Sequence, residues 1–296
     1  MKHAFLILAH TDFEVLRLLI ACLDDPRNDI FVHFDRKVKV MPNCHTERAG
    51  LYILKRRVDV RWADYSMIEA EIALFREARV HGPYLYYHLL SGVDLPLKSQ
   101  DAIHEFFDNN YGKEFVGYTF KTMTPALSER MQRWYLFPRS FRSDTVISYH
   151  FRRWFLAFQR VLGLRRNRGV VFGKGPQWVS VTDGLVAELL SRQRWIKRTF
   201  THTYCPDESL FQTLCLESPL HEKVYYAEEG DDIRGSLRFV GWRDNSRMQD
   251  WDWPDLSALE ASSAFFARKF NSSDLQFLLA VLEHSGYKFG AYPADT

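Results

Sequence analysis

The chain opens on a short apolar run, Ala4 to Ala9 (AFLILA), closed at once by polar residues, which is the pattern of a strand buried on both faces. Residues 13–23 (FEVLRLLIACL) then carry apolar positions at helical spacing, and Asp29 to Phe34 (DIFVHF) forms a second apolar run. Residues 51–60 (LYILKRRVDV) supply another short strand or two. Ser66 to His81 has the helical period and stops at Gly82, and Tyr84 to Leu90 (YLYYHLL) is the next buried strand. The loop SGVDLPLKS follows, punctuated by Gly92 and Pro96. Short β-rich runs alternating with helical ones predict an α/β fold with a central, mostly parallel sheet flanked by helices. Beyond about residue 120 the pattern is less regular, without a repeat, a low-complexity tract or a clear linker. One continuous domain over residues 1–296 is expected, with residues 1–120 as its nucleotide-binding part and 121–296 as its acceptor and catalytic part.

At 296 residues and 46% hydrophobic content the chain can bury a sizeable core. A formal net charge of +2 gives no reason to expect nucleic acid or another acidic polymer as partner. Aromatic residues reach 15%, enough to suit a cleft that stacks a base or sugar rings, although core filling accounts for most of them. The cysteines Cys22, Cys44, Cys205 and Cys215 show neither a C-x-x-C spacing nor the density of a disulfide scaffold, and read as free thiols. No stretch approaches the roughly 20 apolar residues of a membrane span, so a cytoplasmic location is expected.

Ligands of parallel α/β sheets sit at the carboxyl ends of the strands, which directs attention to His10, Asp35 and Asp94. A histidine and a carboxylate there can read uracil and ribose; each alone is as readily a loop cap. In HTYCPDESL (202–210), Pro206, Asp207 and Glu208 open a helix, where the dipole already favours acids. The chemical reading makes Glu208 a general base. Towards the end, Arg243, Arg247, Arg268 and Lys269 are fixed cations able to stabilise a leaving diphosphate in place of a metal. The plainer reading of Arg268 and Lys269 is a solvated pair at a helix end. Asp250-Trp251-Asp252 has Asp-x-Asp spacing but does not follow a strand pattern, so no catalytic metal is expected. Residues 151–168 (FRRWFLAFQRVLGLRRNR) mix aromatic residues with arginines: either a core-packed helix with solvated arginines or a basic amphipathic helix in peripheral contact with anionic lipid.

Taken in order, the segments FLILAHTDFEVLRLL, FVHFDRK, WADYSMIE, YYHLLSGVDLPLKS, GKGPQWVSVT, TYCPDESLFQTL, LRFVGW and FARKF resemble glycosyltransferase family 14. This family holds the core-2 and I-branching β-1,6-N-acetylglucosaminyltransferases and the peptide O-xylosyltransferases. The resemblance implies a GT-A-like nucleotide-sugar fold that uses a UDP-sugar without the usual metal motif. It places Glu208 on the catalytic base and Lys269 on the lysine that holds the donor diphosphate. Arg247 falls on that lysine's partner, with Arg243 as a rival. His10 and Asp35 fall on the uridine site, Trp242 and Arg130 on positions that contact the acceptor sugar, and Asp94 on the loop beneath the donor. Without the membrane anchor, stem and cysteine-rich framework of the animal members, the chain looks like a bacterial relative at the inner face of the membrane. The implied reaction is inverting transfer, of N-acetylglucosamine on family frequency, to a glycan or lipid-linked glycan hydroxyl in surface polysaccharide synthesis. A binding module that has lost catalysis is the competing reading, and a nucleotidyltransferase a third.

Overall fold

The structure is a computed structural model describing residues 1–142, 145–243 and 247–289, with the backbone alone described at Trp242, Arg243 and Arg247. Five strands form the central sheet: β1 (His3–Ala9), β2 (Asn28–Phe34), β3 (Gly50–Ile53), β4 (Tyr87–Ser91) and β6 (Ser180–Val181), in the order β3-β2-β1-β4-β6. The first four are mutually parallel and β6 pairs antiparallel with β4. The chain steps outward from β1 to β3 and then returns to the other side of β1. This reversal between β1 and β4 opens a crevice at their carboxyl ends.

Alternation along the strands assigns the two faces. Phe5, Ile7, Ile30, Val32 and Leu90 pack on one side with helices α1 (Phe13–Cys22), α3 (Gln100–Asn109) and, far along the chain, residues 275–284. Ala4, Leu6, Phe31 and Leu89 pack on the other with α2 (Ser66–His81) and residues 183–191 and 210–216. The sheet is therefore covered on both faces, as continuous apolar strands require. The predicted helix 66–81 is observed with those bounds. Of the predicted strand residues 51–60 only the first few join the sheet; the polar run from Lys55 leaves it, and Asp59 beyond gathers Arg36, Lys37 and Arg61. Tyr84 to Tyr86 approach β4 as loop, although Leu85 N–H already donates to the Lys2 carbonyl.

A second sheet, β5-β10-β7, joins Leu95–Pro96 (β5), Arg238–Val240 (β7) and Phe266–Arg268 (β10). Strands β8 (Trp242–Arg243) and β9 (Arg247–Met248) pair beside it. Buried Arg238 ties this sheet to the central one, donating to the Val179 carbonyl (3.1 Å) and Ser180 Oγ (3.0 Å). The remaining helices are α4 (Pro125–Met131), α5 (Val146–Val161), α6 (Asp183–Ser191), α7 (Gln193–Phe200), α8 (Leu210–Leu216), α9 (Asp232–Ser236), α10 (Leu256–Ala261) and α11 (Leu275–His284). The expectation of a core-packed helix at 151–168 is overturned. Helix α5 buries Arg152 and Gln159 and turns its aromatic side outward.

Three histidines stand buried at the opposite, amino-terminal end of β1. His3 Nδ1 and His88 Nε2 share a hydrogen bond (3.0 Å), His88 Nδ1 another with Ser180 Oγ (2.8 Å), and the His104 ring lies tilted against His3 with centroids 4.2 Å apart. Burial holds the His3 pKa down at about 2 and drives that of His88 well below the ordinary value. Histidines in the unfolded chain titrate near 6.5, so on acidification the unfolded state takes up protons that the folded state refuses. Stability is thus expected to fall as the pH drops below about 6.5, by about 2 kcal/mol at pH 5 for each histidine that stays neutral. Urea unfolding at pH 7 and pH 5 checks this, and His88→Gln should flatten the slope.

Candidate active site

Two groups of side chains gather at the carboxyl edge of the central sheet, each drawn from both halves of the chain. On the β1/β2 side, Asp35 is buried just past β2 and accepts from the Lys37 backbone N–H (2.8 Å) and its Nζ (2.6 Å). His10, just past β1, is exposed towards the crevice. Its pKa is lowered, first by the surrounding packing; the charge of Asp35 opposes this, and Lys269 adds to it. Lys269 therefore stands near enough to His10 to act on it, although it lies far from it in sequence.

The backbone fixes that position. The Lys269 carbonyl accepts from Trp251 N–H (2.9 Å), Phe270 N–H donates to the Val93 carbonyl (3.0 Å), and Ser272 N–H donates to Asp12 Oδ2 (2.9 Å). The Lys269 ammonium lies half-exposed, 3.7 Å from Asp250. Its neighbour behaves differently. Arg268 lies at the end of β10, lies over the Trp178 ring at 4.1 Å and reaches Asp94 at 3.4 Å. Asp94, 1% exposed, also accepts from Ser91 N–H (2.9 Å) and Ser91 Oγ (2.7 Å). Burial raises the Asp94 pKa and lowers that of Arg268, and each charge opposes the shift of the other. The solvated pair at a helix end is thus corrected to a strand end with one buried arginine and one accessible lysine. Asp94 lies below the crevice floor and can act on a ligand only through Arg268.

On the other side, Glu208 ends a 3-10 turn (Pro206–Glu208) that runs into α8. Arg130 Nη1 donates to Glu208 Oε2 at 2.9 Å, and Lys174 Nζ lies 3.6 Å from the same oxygen. The carboxylate is 35% exposed, open to the crevice yet held by two cations. Such a pair adds about 1 kcal/mol or less to stability; its effect is orientation. Arg130, expected at the acceptor sugar, here engages the carboxylate and lies over the Tyr204 ring, which meets Trp62 edge-on, with Arg142 over Trp62. Beneath them Asp207 is buried next to Glu208. Its pKa is pushed up to about 7, by burial first and by the charge of Glu208 second. Glu71 is buried, receives a 2.6 Å bond from Gln177 Nε2, and is likewise raised by burial and by Asp207.

Residues 174–178 connect the two groups. Gly175 N–H donates to the Glu208 carbonyl (2.9 Å), Lys174 approaches its carboxylate, and Trp178 lies under Arg268 before the chain enters β6. A Cβ at Gly175 would collide with the Gly117 carbonyl oxygen, so the close approach requires glycine. Lys174, Trp178, Tyr204 and Trp62 were not singled out as site residues from sequence, although all four fall in the segments GKGPQWVSVT, TYCPDESLFQTL and WADYSMIE. Trp242, Arg243 and Arg247 have side chains outside the described residues; their backbones pair as the β8-β9 hairpin. Two-residue strand β9 does precede Asp250, contrary to expectation, but Asp252 is engaged as a helix cap, accepting from Trp253 N–H.

If Asp94 is present to neutralise Arg268, removing the arginine alone strands a buried carboxylate. Arg268→Met is expected to destabilise the fold by about 3–5 kcal/mol, and the double change with Asp94→Asn to recover most of that loss in urea unfolding.

The sequence model of the Core-2/I-Branching enzyme family matches residues 3–267. Curated relatives include "Xylosyltransferase oxt" of Drosophila pseudoobscura pseudoobscura, 23% identical over 95% of this chain and 32% of its own length. "Xylosyltransferase oxt" of Drosophila melanogaster is 22% identical with the same coverages, and "Xylosyltransferase 2" of Canis lupus familiaris is 22% identical over 99% of this chain and 34% of its own length. The chain thus spans about a third of the length of these relatives. Among solved structures, apo mouse Xyloside xylosyltransferase 1 superposes with a TM-score of 0.31 and 12% identity over 73% of this chain and 83% of that one, too loosely to bear on the fold. The match over residues 3–267 is decisive: the chain belongs to the Core-2/I-Branching enzyme family.

Proposed function

We propose that this chain is an inverting glycosyltransferase that moves a sugar from a UDP-sugar to a glycan hydroxyl, with Glu208 as general base. The observation that supports it most is the segment 174–178, in which Lys174 approaches the Glu208 carboxylate and Trp178 lies against Arg268, the neighbour of Lys269. In this reading Glu208 takes the proton of the acceptor hydroxyl as that oxygen attacks the anomeric carbon. The bond from that carbon to the diphosphate breaks on the opposite face, so an α-linked donor gives a β-linked product. Charge then grows on UDP. Lys269, with Arg247 or Arg243, meets it in place of a metal ion, while His10 and Asp35 hold the uridine. Arg130 and Lys174 aim the base, and Asp207, uncharged below about pH 7, keeps a second negative charge away from it.

The sugar of first choice is N-acetylglucosamine, on the family resemblance; the names of the curated relatives make UDP-xylose the other donor to test. A role in bacterial surface polysaccharide synthesis on the cytoplasmic side completes the proposal.

Glu208→Gln is expected to keep UDP binding and lower transfer at least about a hundredfold, the scale of a lost general base. Lys269→Ala should lower it by about the same factor through the leaving group. UDP release from each donor, with and without EDTA, is the measurement. Rates insensitive to EDTA support fixed cations in place of a metal. Near-normal turnover by a folded Glu208→Gln protein removes the base from the mechanism, and no release with any donor and acceptor returns the chain to a binding module.

A further inference from the structure

Helix α5 is amphipathic in the opposite sense to a helix that covers a core. Its buried positions are Arg152 and Gln159. Gln159 bolts it to the loop after α4, accepting from Trp134 N–H (2.9 Å) and donating to the Trp134 carbonyl (2.9 Å). The outward stripe runs Ile147, Phe151, Trp154, Phe158 and Val161, spaced by three and four residues, and so along one side of the helix. Trp154 is 58% exposed, Ile147 82% and Val161 84%. Phe151, Trp154 and Phe158 stack on one another along that stripe, each pair with centroids 5.7 Å apart. A contiguous apolar stripe of this kind on a folded protein marks a contact surface.

The charge around it selects the occupant. Arg153 flanks the stripe, Arg165 and Arg168 follow its end, Arg160 beside it is paired with Glu129, and residues 145–170 themselves contain no Asp or Glu. A second copy docked two-fold on this face would set the basic rims against each other, with Glu129, already held by Arg160, as the acid beside them. A surface of anionic lipid supplies an apolar interior for the stripe and negative headgroups for its rim.

We infer that α5 lies in the interface of an anionic membrane, with Trp154 and Phe158 inserted and the arginines among the headgroups. Through Gln159 and the loop after α4, the lipid surface would then lie beside the helix that carries Arg130, the partner of Glu208. A lipid-linked glycan acceptor follows from this placement. That consequence rests on the transferase reading, whereas binding to vesicles does not, so the two fail separately.

The test is co-sedimentation of the full chain with phosphatidylcholine vesicles, with and without about a third phosphatidylglycerol. Binding is expected to the anionic vesicles alone, to weaken with salt, and to drop about tenfold or more in Trp154→Glu/Phe158→Glu. Arg153→Gln should weaken it by about fivefold. Melting temperature confirms that the variants fold, and Trp154→Ala/Phe158→Ala serves if the glutamates do not. Absence of binding to anionic vesicles, equal binding to neutral ones, or undiminished binding by the folded double variant overturns the inference. So does a dimer in sedimentation velocity that the double variant dissolves while vesicle binding is absent.

Discussion

The buried ion pair of Asp94 and Arg268, laid on Trp178, is the contact on which the crevice depends. It joins three stretches of chain that share no sequence neighbourhood: the loop after β4, the end of β10 and the segment entering β6. Desolvating two charges costs several kcal/mol each, and their attraction roughly cancels that cost. The pair is therefore a poor source of stability. What it provides is position, because β10 can end in one place only when Arg268 has one partner to reach. Lys269 follows directly, with its backbone clamped between Trp251 and Val93.

The same reasoning separates the legible from the illegible in the sequence. The central sheet could be read because β1, β2 and β4 are buried on both faces and show up as unbroken apolar runs, and α2 because its period is regular up to Gly82. Glu208, His10 and Asp35 could be named because they stand at element ends. Lys174 and Trp178 could not, since a glycine-flanked lysine in a loop carries no periodicity. Their partners are hundreds of ångströms of extended chain away in Arg268, or close only after folding in Glu208. Arg268 and Lys269 read as one basic pair, yet Arg268 ends β10 and turns to Asp94 and Trp178, whereas Lys269 lies past the strand and stays half-exposed. Helix α5 stayed open between two readings for the complementary reason: its periodicity identifies a sided helix and does not say which side faces the protein.

The two sides of the crevice are held by different physics, and that difference bears on what each can recognise. On the side proposed for the donor, Asp94, Arg268, Asp35 and the Lys269 backbone are buried or clamped, so a substitution there breaks a desolvated contact and threatens the fold. On the side proposed for the acceptor, the chain of contacts from Glu208 through Arg130, Tyr204 and Trp62 to Arg142 is made of half-exposed ion pairs and ring contacts. Each contributes about 1 kcal/mol or less at such exposure. Such contacts can be exchanged at little cost in stability. In the proposed reading, acceptor choice then rests on Arg130, Tyr204, Trp62 and Arg142, and on whatever surface α5 brings next to them, rather than on the fold that carries them.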